Sequence, residues 1–114
     1  EAHFGYVRRG AVMELLNPGR RPERRYFQLD EGFTALRWSW TDSLLVSEIT
    51  GVAHEAGSNA FTIDYQATHA LRTESVKLSM PLACRSAAEA ALWVGALSAL
   101  QRLDVARQGL DLRQ

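Results

Sequence analysis

Ser86-Ala87-Ala88-Glu89-Ala90-Ala91-Leu92-Trp93-Val94, residues 86–94, is the stretch whose reading decides the fold, because the chain changes character there. Ser86 followed three residues later by Glu89 has the form of a capping box, in which hydroxyl and carboxylate satisfy amides that a helix start leaves open. Beyond it, Ala87 to Gln108 holds no proline and one glycine, Gly95, before Gly109 offers a C-terminal stop. This predicts one helix over about 87–108.

Upstream the pattern is that of strands. Val76, Leu78, Met80 and Leu82 recur with a period of two, so one face of a strand is buried. Pro81 within it predicts a bulge or a sheet-edge position, since proline cannot donate to a ladder. A polar loop through Arg72-Thr73-Glu74 precedes that strand. Ala60 to Tyr65 sets Phe61, Ile63 and Tyr65 on one face against Thr62 and Asp64, after a turn at Gly57-Ser58-Asn59. Leu44 to Val52 offers Leu45, Ile49 and Val52 as buried candidates around a bulge. Phe33 to Trp40 is an aromatic strand entered through the Asp30-Glu31-Gly32 turn, and Arg25 to Leu29 is the strand before it. Val7 to Leu16 reads as the first strand, kinked at Gly10, and Asn17-Pro18-Gly19 opens a loop that continues through Pro22. The expectation is one domain over 1–114, mainly β: about seven antiparallel strands over about 5–85, then a single helix. Two sheets closed at one end by a helix bury this pattern efficiently.

The whole-chain numbers narrow the function. The 114 residues suit one core. Acids and bases balance at 13 each, which gives no electrostatic footprint for nucleic acid, and no exposed aromatic platform for single strands is evident. The one cysteine, Cys84, allows no intrachain disulfide and fits a reducing, cytoplasmic setting. The longest apolar stretch, Ala90 to Leu100, is far short of the roughly 18–20 residues of a membrane span. No signal peptide is visible, so membrane or cytoskeletal contact is expected to be peripheral.

Catalysis finds no foothold. His3, His54 and His69 are scattered without the pairing typical of metal ligands. No Cys-x-x-Cys, phosphate-cradling glycine loop or Gly-x-Ser-x-Gly elbow occurs. Cys84, at the end of an apolar strand, is expected to be an inert core thiol. No enzyme activity, cofactor or metal is expected.

Gly10 opening the first strand, Arg25-Tyr26-Phe27-Gln28-Leu29 in the second, Leu36-Arg37-Trp38 in the third, and Glu89-Ala90 before Trp93 together resemble the pleckstrin-homology (PH) pattern over nearly the full chain. The pattern is most similar to PH domains of the phospholipase C group, whose helix carries a Trp-Val pair and a Leu, here Trp93, Val94 and Leu97. The resemblance implies a barrel of two near-orthogonal antiparallel sheets, with the helix capping one end and Trp93 packed into it. Tyr26, Phe27, Leu29, Trp38, Trp93 and Leu97 are then core or plug residues that carry no chemistry. It also implies a non-catalytic docking or adaptor domain of a larger, signalling-type protein.

Many PH domains bind inositol phosphates through bases late in strand one and at the start of strand two. Arg25 matches the strand-two base, but the strand-one positions fall on Glu14 or Leu15 and on Leu16 or Asn17. The turn after strand three offers Thr41, Asp42 and Ser43. A phosphate needs convergent charge-assisted donors, and this set is depleted of them. Still, residues 1–25 hold six arginines (Arg8, Arg9, Arg20, Arg21, Arg24, Arg25) against Glu1, Glu14 and Glu23. These are candidates for weak anionic-lipid binding, or are solvated loop arginines. A second candidate surface is helical. The apolar residues of the helix span roughly 220° of its circumference, more than one barrel mouth requires. Leu92, Ala96, Ala99 and Leu103 form the surplus stripe, to be covered either by a partner or parent-protein segment or by the chain's own Phe4 and Tyr6. Two readings stand: protein–protein docking with weak anionic-lipid binding, or specific phosphoinositide recognition.

Overall fold

The computed structural model describes residues 2–17, 19–39, 42–68 and 75–112. Along the chain run α1 (Ala2–Arg9), β1 (Ala11–Leu15), β2 (Glu23–Leu29), β3 (Ala35–Arg37) and β4 (Ser43–Leu45). A 3-10 turn (Val46–Glu48) leads to β5 (Ile49–His54), β6 (Ala60–Thr68), β7 (Ser75–Ala83) and α2 (Ala87–Leu112). The seven strands pair antiparallel in the order β4-β3-β2-β1-β7-β6-β5. The fold is thus mainly β with a C-terminal helix, as expected.

The first element departs from expectation. Val7 to Arg9 form the last turn of a helix, and the strand begins only at Ala11. An eight-residue helix is marginal alone, so packing has to hold it. Val7 is fully buried in the core, and Tyr6 meets Trp93 edge to face with ring centroids 6.1 Å apart. Gly10 is therefore a helix stop: its φ is +89°, and its N–H donates to the Tyr6 carbonyl at 3.1 Å. A glycine accepts that conformation without a Cβ penalty. Here it also leaves room for close approach, since a Cβ would lie 2.6 Å from the Phe27 carbonyl oxygen and 2.8 Å from the Tyr26 ring.

β3 is shorter than the Phe33–Trp40 stretch expected. Asp30 builds the turn before it: Oδ1 accepts the N–H groups of Thr34 (2.7 Å) and Ala35 (3.3 Å), and Oδ2 accepts the Thr34 hydroxyl (2.6 Å). The turn holds Phe33 at φ 55°, outside any strand. Trp38 leaves the ladder and stacks, tilted, on Phe27 at 5.4 Å. Leu44 to Val52 is two strands, because Glu48 reaches back to accept the Leu45 N–H at 3.1 Å and tightens the chain into the 3-10 turn. Leu44 and Val46 consequently face the core while Leu45 is exposed, the reverse of expectation; the expected bulge lies between Ile49 and Gly51.

In β6 and β7 the alternation holds: Phe61, Ile63, Met80 and Leu82 are buried. Pro81 is not at an edge, for β7 lies between β1 and β6. Its carbonyl accepts the Leu16 N–H at 3.0 Å, and proline's missing N–H falls on that same side. There the β1–β7 register covers only Glu14↔Ala83 and Leu15↔Leu82, so the proline sits where the ladder ends. The expected Arg72-Thr73-Glu74 loop lies outside the described residues.

Ser86 caps α2, accepting the Glu89 N–H at 3.2 Å. The Glu89 carboxylate completes no box and instead takes Arg85 at 2.8 Å. The helix runs past Gly109 to Leu112, because one glycine costs a helix only about 1 kcal/mol. Trp93, Phe27, Met13, Leu29, Leu36, Ile63, Leu82 and Leu97 join Val7 as the fully buried centre. Tyr26, expected in the core, instead points outward, half exposed.

Candidate functional site

The parity of β2 sorts its basic residues. Phe27 and Leu29 are buried, so Glu23 and Arg25 share their inward side while Arg24, Tyr26 and Gln28 face out. Arg25, the base that the PH resemblance matches to the strand-two ligand, thus shares the inward side with Phe27 and Leu29. It is already engaged there: its Nη2 lies 3.4 Å from Glu23 Oε2, and its Nη1 donates to the Arg24 carbonyl at 2.7 Å. Across the ladder its partner is Met13, and the partner of Glu23 is Leu15. The inward side at this end offers one guanidinium, one carboxylate and two apolar side chains. Arg20 and Arg21 are exposed in the connecting loop and make no ion pair with a described residue; Arg20 N–H closes the turn on the Asn17 carbonyl at 3.0 Å.

The other expected bases do not join this group. Arg24 faces outward opposite Glu14, beside a cavity of about 300 Å³ that Val12, Met13, Glu14, Ala83, Cys84 and Arg85 also line. Arg8 and Arg9, in the last turn of α1, lie by the C-terminal half of β2. The Arg8 carbonyl accepts Gln28 Nε2 at 3.0 Å, and the Arg9 carbonyl accepts the Tyr26 hydroxyl. Arg8 stands 3.8 Å from Glu31 and shares a cavity of about 410 Å³ with Gln28, Leu29, Asp30, Glu31 and Arg37. The six arginines thus divide among three places. Arg37, which the sequence reading left out, joins one of them because its register opposite Gln28 turns it to the outer side.

The titrating groups follow their surroundings. Burial acts to raise Asp30, but the Thr34 and Ala35 hydrogen bonds, with Arg37 nearby, outweigh it and hold the carboxyl below its ordinary value. Burial, then Glu89, pushes the Cys84 thiol up to about 11, and its Sγ contacts Met13 Sδ at 3.5 Å. A thiol so raised is unreactive at neutral pH. His54 hydrogen-bonds the Ser58 carbonyl through Nε2 at 2.9 Å, a loop-closing role. Among the described residues no group of His, Cys, Asp and Glu side chains could hold a metal ion, and no helix is long and apolar enough to cross a membrane.

The helical stripe is not a bare face. Ala96 is buried, Leu92 and Ala99 are half-buried, and Leu103 is 54% exposed. α1 packs against α2, and its Tyr6 meets Trp93, which lies beside the stripe and is not part of it. The side chain of Phe4 lies outside the described residues.

No protein-family model matches the chain, and no curated protein sequence matches it. Solved structures do. Inner Membrane Complex Sub-compartment Protein 3 (ISP3) from Toxoplasma gondii is similar with a TM-score of 0.64 at 13% identity, over 90% of this chain and 82% of that one. The PH domain from TgAPH is similar with a TM-score of 0.64 at 14% identity, over 89% of this chain and 90% of that one. The likeness to phospholipase C domains in particular rests on the sequence pattern alone. Seven antiparallel strands, a C-terminal helix plugged by Trp93 and these two structural matches give the chain the PH fold.

Proposed function

We propose that this is a non-catalytic docking domain that attaches a larger protein to a partner polypeptide, with at most weak, unspecific affinity for anionic lipid. One observation carries the reading. The start of β2, where the PH resemblance puts a phosphate-binding base, presents Arg25 paired to Glu23 at 3.4 Å, with Met13 and Leu15 across the ladder. Inositol phosphates demand several converging cations, because each phosphate oxygen taken from water needs a charged donor in return. One arginine already matched by a carboxylate does not meet that demand. The similarity in fold to the PH domain from TgAPH supports a docking role of this general kind.

The exposed loop arginines, Arg20 and Arg21, give a route to unspecific attraction, each base near an anionic surface contributing about 1 kcal/mol. Such attraction falls steeply with salt. A peripheral site of action at a membrane or on the cytoskeleton within the cytoplasm follows from the same reading.

Co-sedimentation with vesicles carrying single phosphoinositides, at low and physiological salt, tests it. The expected result is equal retention by all anionic vesicles at low salt, little at physiological salt, and a small loss in Arg24→Ala with Arg25→Ala. Headgroup-selective retention that this double substitution abolishes would overturn the reading in favour of specific phosphoinositide recognition.

A further inference from the structure

The outward-facing side of β1, β2 and β3, away from the inward Arg25, carries a run of neighbouring depressions. Val12 and Tyr26 are directly opposed across the β1–β2 ladder, 49% and 51% exposed. Beyond Val12 lies the cavity of about 300 Å³ that Arg24 borders. Beyond Tyr26 lies one of about 320 Å³ bordered by Gln28, Arg37, Trp38 and Ser39, and then the cavity of about 410 Å³ that shares Gln28 and Arg37 with it. Three depressions thus follow one another across three strands, with an apolar pair between the first and the second.

The charges on this side are unequally used. Asp30 is consumed by its own turn, and Glu31 lies 3.8 Å from Arg8. Arg9, Arg24 and Arg37 form no ion pair with a described residue, although Glu14 faces Arg24 across the ladder and Arg37 lies near Asp30, so that Arg8, Arg9, Arg24 and Arg37 stand against Glu14, Asp30 and Glu31. What the side offers to a visitor is therefore a small excess of guanidinium donors around an apolar centre. Carboxylates are the matching acceptors, since a guanidinium fork engages one with two parallel hydrogen bonds. A flat bilayer would not reach into these depressions, whereas successive side chains of a polypeptide would.

We propose that the outer side of β1–β3 is a docking groove for an acidic segment of a partner polypeptide, with one apolar residue of that segment seated on the Val12–Tyr26 pair. This rests on the docking reading above and gives it a place and a partner chemistry.

Selection from a display library of random 12-residue peptides against the 114-residue chain tests it. The expected result is recovered peptides rich in Asp and Glu around an apolar residue. Their affinity should fall at least tenfold in Arg24→Glu with Arg37→Glu, and less than threefold in Arg20→Glu with Arg21→Glu. The second pair changes charge equally but off this side, and circular dichroism checks that both variants remain folded. Equal losses in the two pairs, recovered peptides without acidic enrichment, or no recovered peptide would each overturn the groove. Recovered peptides that respond to Leu103→Asp instead would leave protein docking standing while removing it from this side. An empty selection together with headgroup-selective vesicle binding would remove both.

Discussion

Arg25 and Glu23, two positions apart on the inward side of β2, form an exposed ion pair at 3.4 Å, so a carboxylate competes for the base that the PH resemblance matches to a phosphate ligand. Glu23→Gln removes the competitor without changing shape. Retention on anionic vesicles at low salt should rise roughly fivefold, the equivalent of about 1 kcal/mol for one base near a charged surface. Glu23→Gln combined with Arg25→Ala should return to the starting value, as read by co-sedimentation.

Gly10 should not tolerate a side chain. Alanine there would keep a strained positive φ and press its Cβ on the Phe27 carbonyl and the Tyr26 ring. The expected loss is about 2 kcal/mol or more in urea unfolding.

Trp93 and Tyr6 should separate packing from polarity. Trp93→Ala removes the largest fully buried side chain and should cost about 3–5 kcal/mol. The Tyr6 hydroxyl is buried near the Trp93 indole N–H, yet neither makes a well-formed hydrogen bond to a described residue, so Tyr6→Phe should be neutral or stabilising by up to about 1 kcal/mol. Denaturant midpoints of the two variants check both.

Cys84 sets a pH limit. Its thiol is pushed up to about 11 in the folded chain, against about 8.5–9 when unfolded. Below about pH 8 both states hold the proton and stability is unaffected. Between pH 9 and 11 the unfolded state alone loses it, so stability falls as pH rises. The same direction holds for Tyr6, whose raised value, due first to burial, acts above pH 10. Unfolding curves should lose about 1–2 kcal/mol from pH 9 to 11, with the slope between 9 and 10 flattened in Cys84→Ala.

Asp30 works in the opposite direction. Its folded value lies below the unfolded one, so its contribution is complete above pH 4 and fades as pH falls below that. Asp30→Ala should cost about 1.5–3 kcal/mol at pH 7, the range for hydrogen bonds to a charged group. The deficit relative to the native sequence should shrink in unfolding measured at pH 3.

Much of this architecture is written in local pattern. The period of two in β6 and β7, the turn at Gly57-Ser58-Asn59 and the Ser86 cap each rest on neighbours along the chain, and each stands as read. α1 does not, because its helical state depends on Tyr6 and Val7 meeting elements far along the sequence. Val7 fits a buried strand residue equally well, and an eight-residue helix has little local signature. The site divides in the same way. The inward placement of Arg25 follows from its spacing to Phe27 and Leu29, whereas its partner Glu23 could have been seen in the same alternation. The meeting of Arg8 with Arg37 is tertiary, made by a helix end arriving at a strand register that no spacing encodes.

Pro81 gives the barrel a permanent seam. Where Leu16 and Pro81 oppose each other, a second hydrogen bond would need the amide proton that proline lacks, so the β1–β7 join cannot lengthen in that direction. The two halves of the sheet are held by a short stitch, while β6 and β7 are bonded over nine residues. Breathing of the molecule should concentrate on that stitch and on the equally short β2–β3 ladder, away from the long β6–β7 pair.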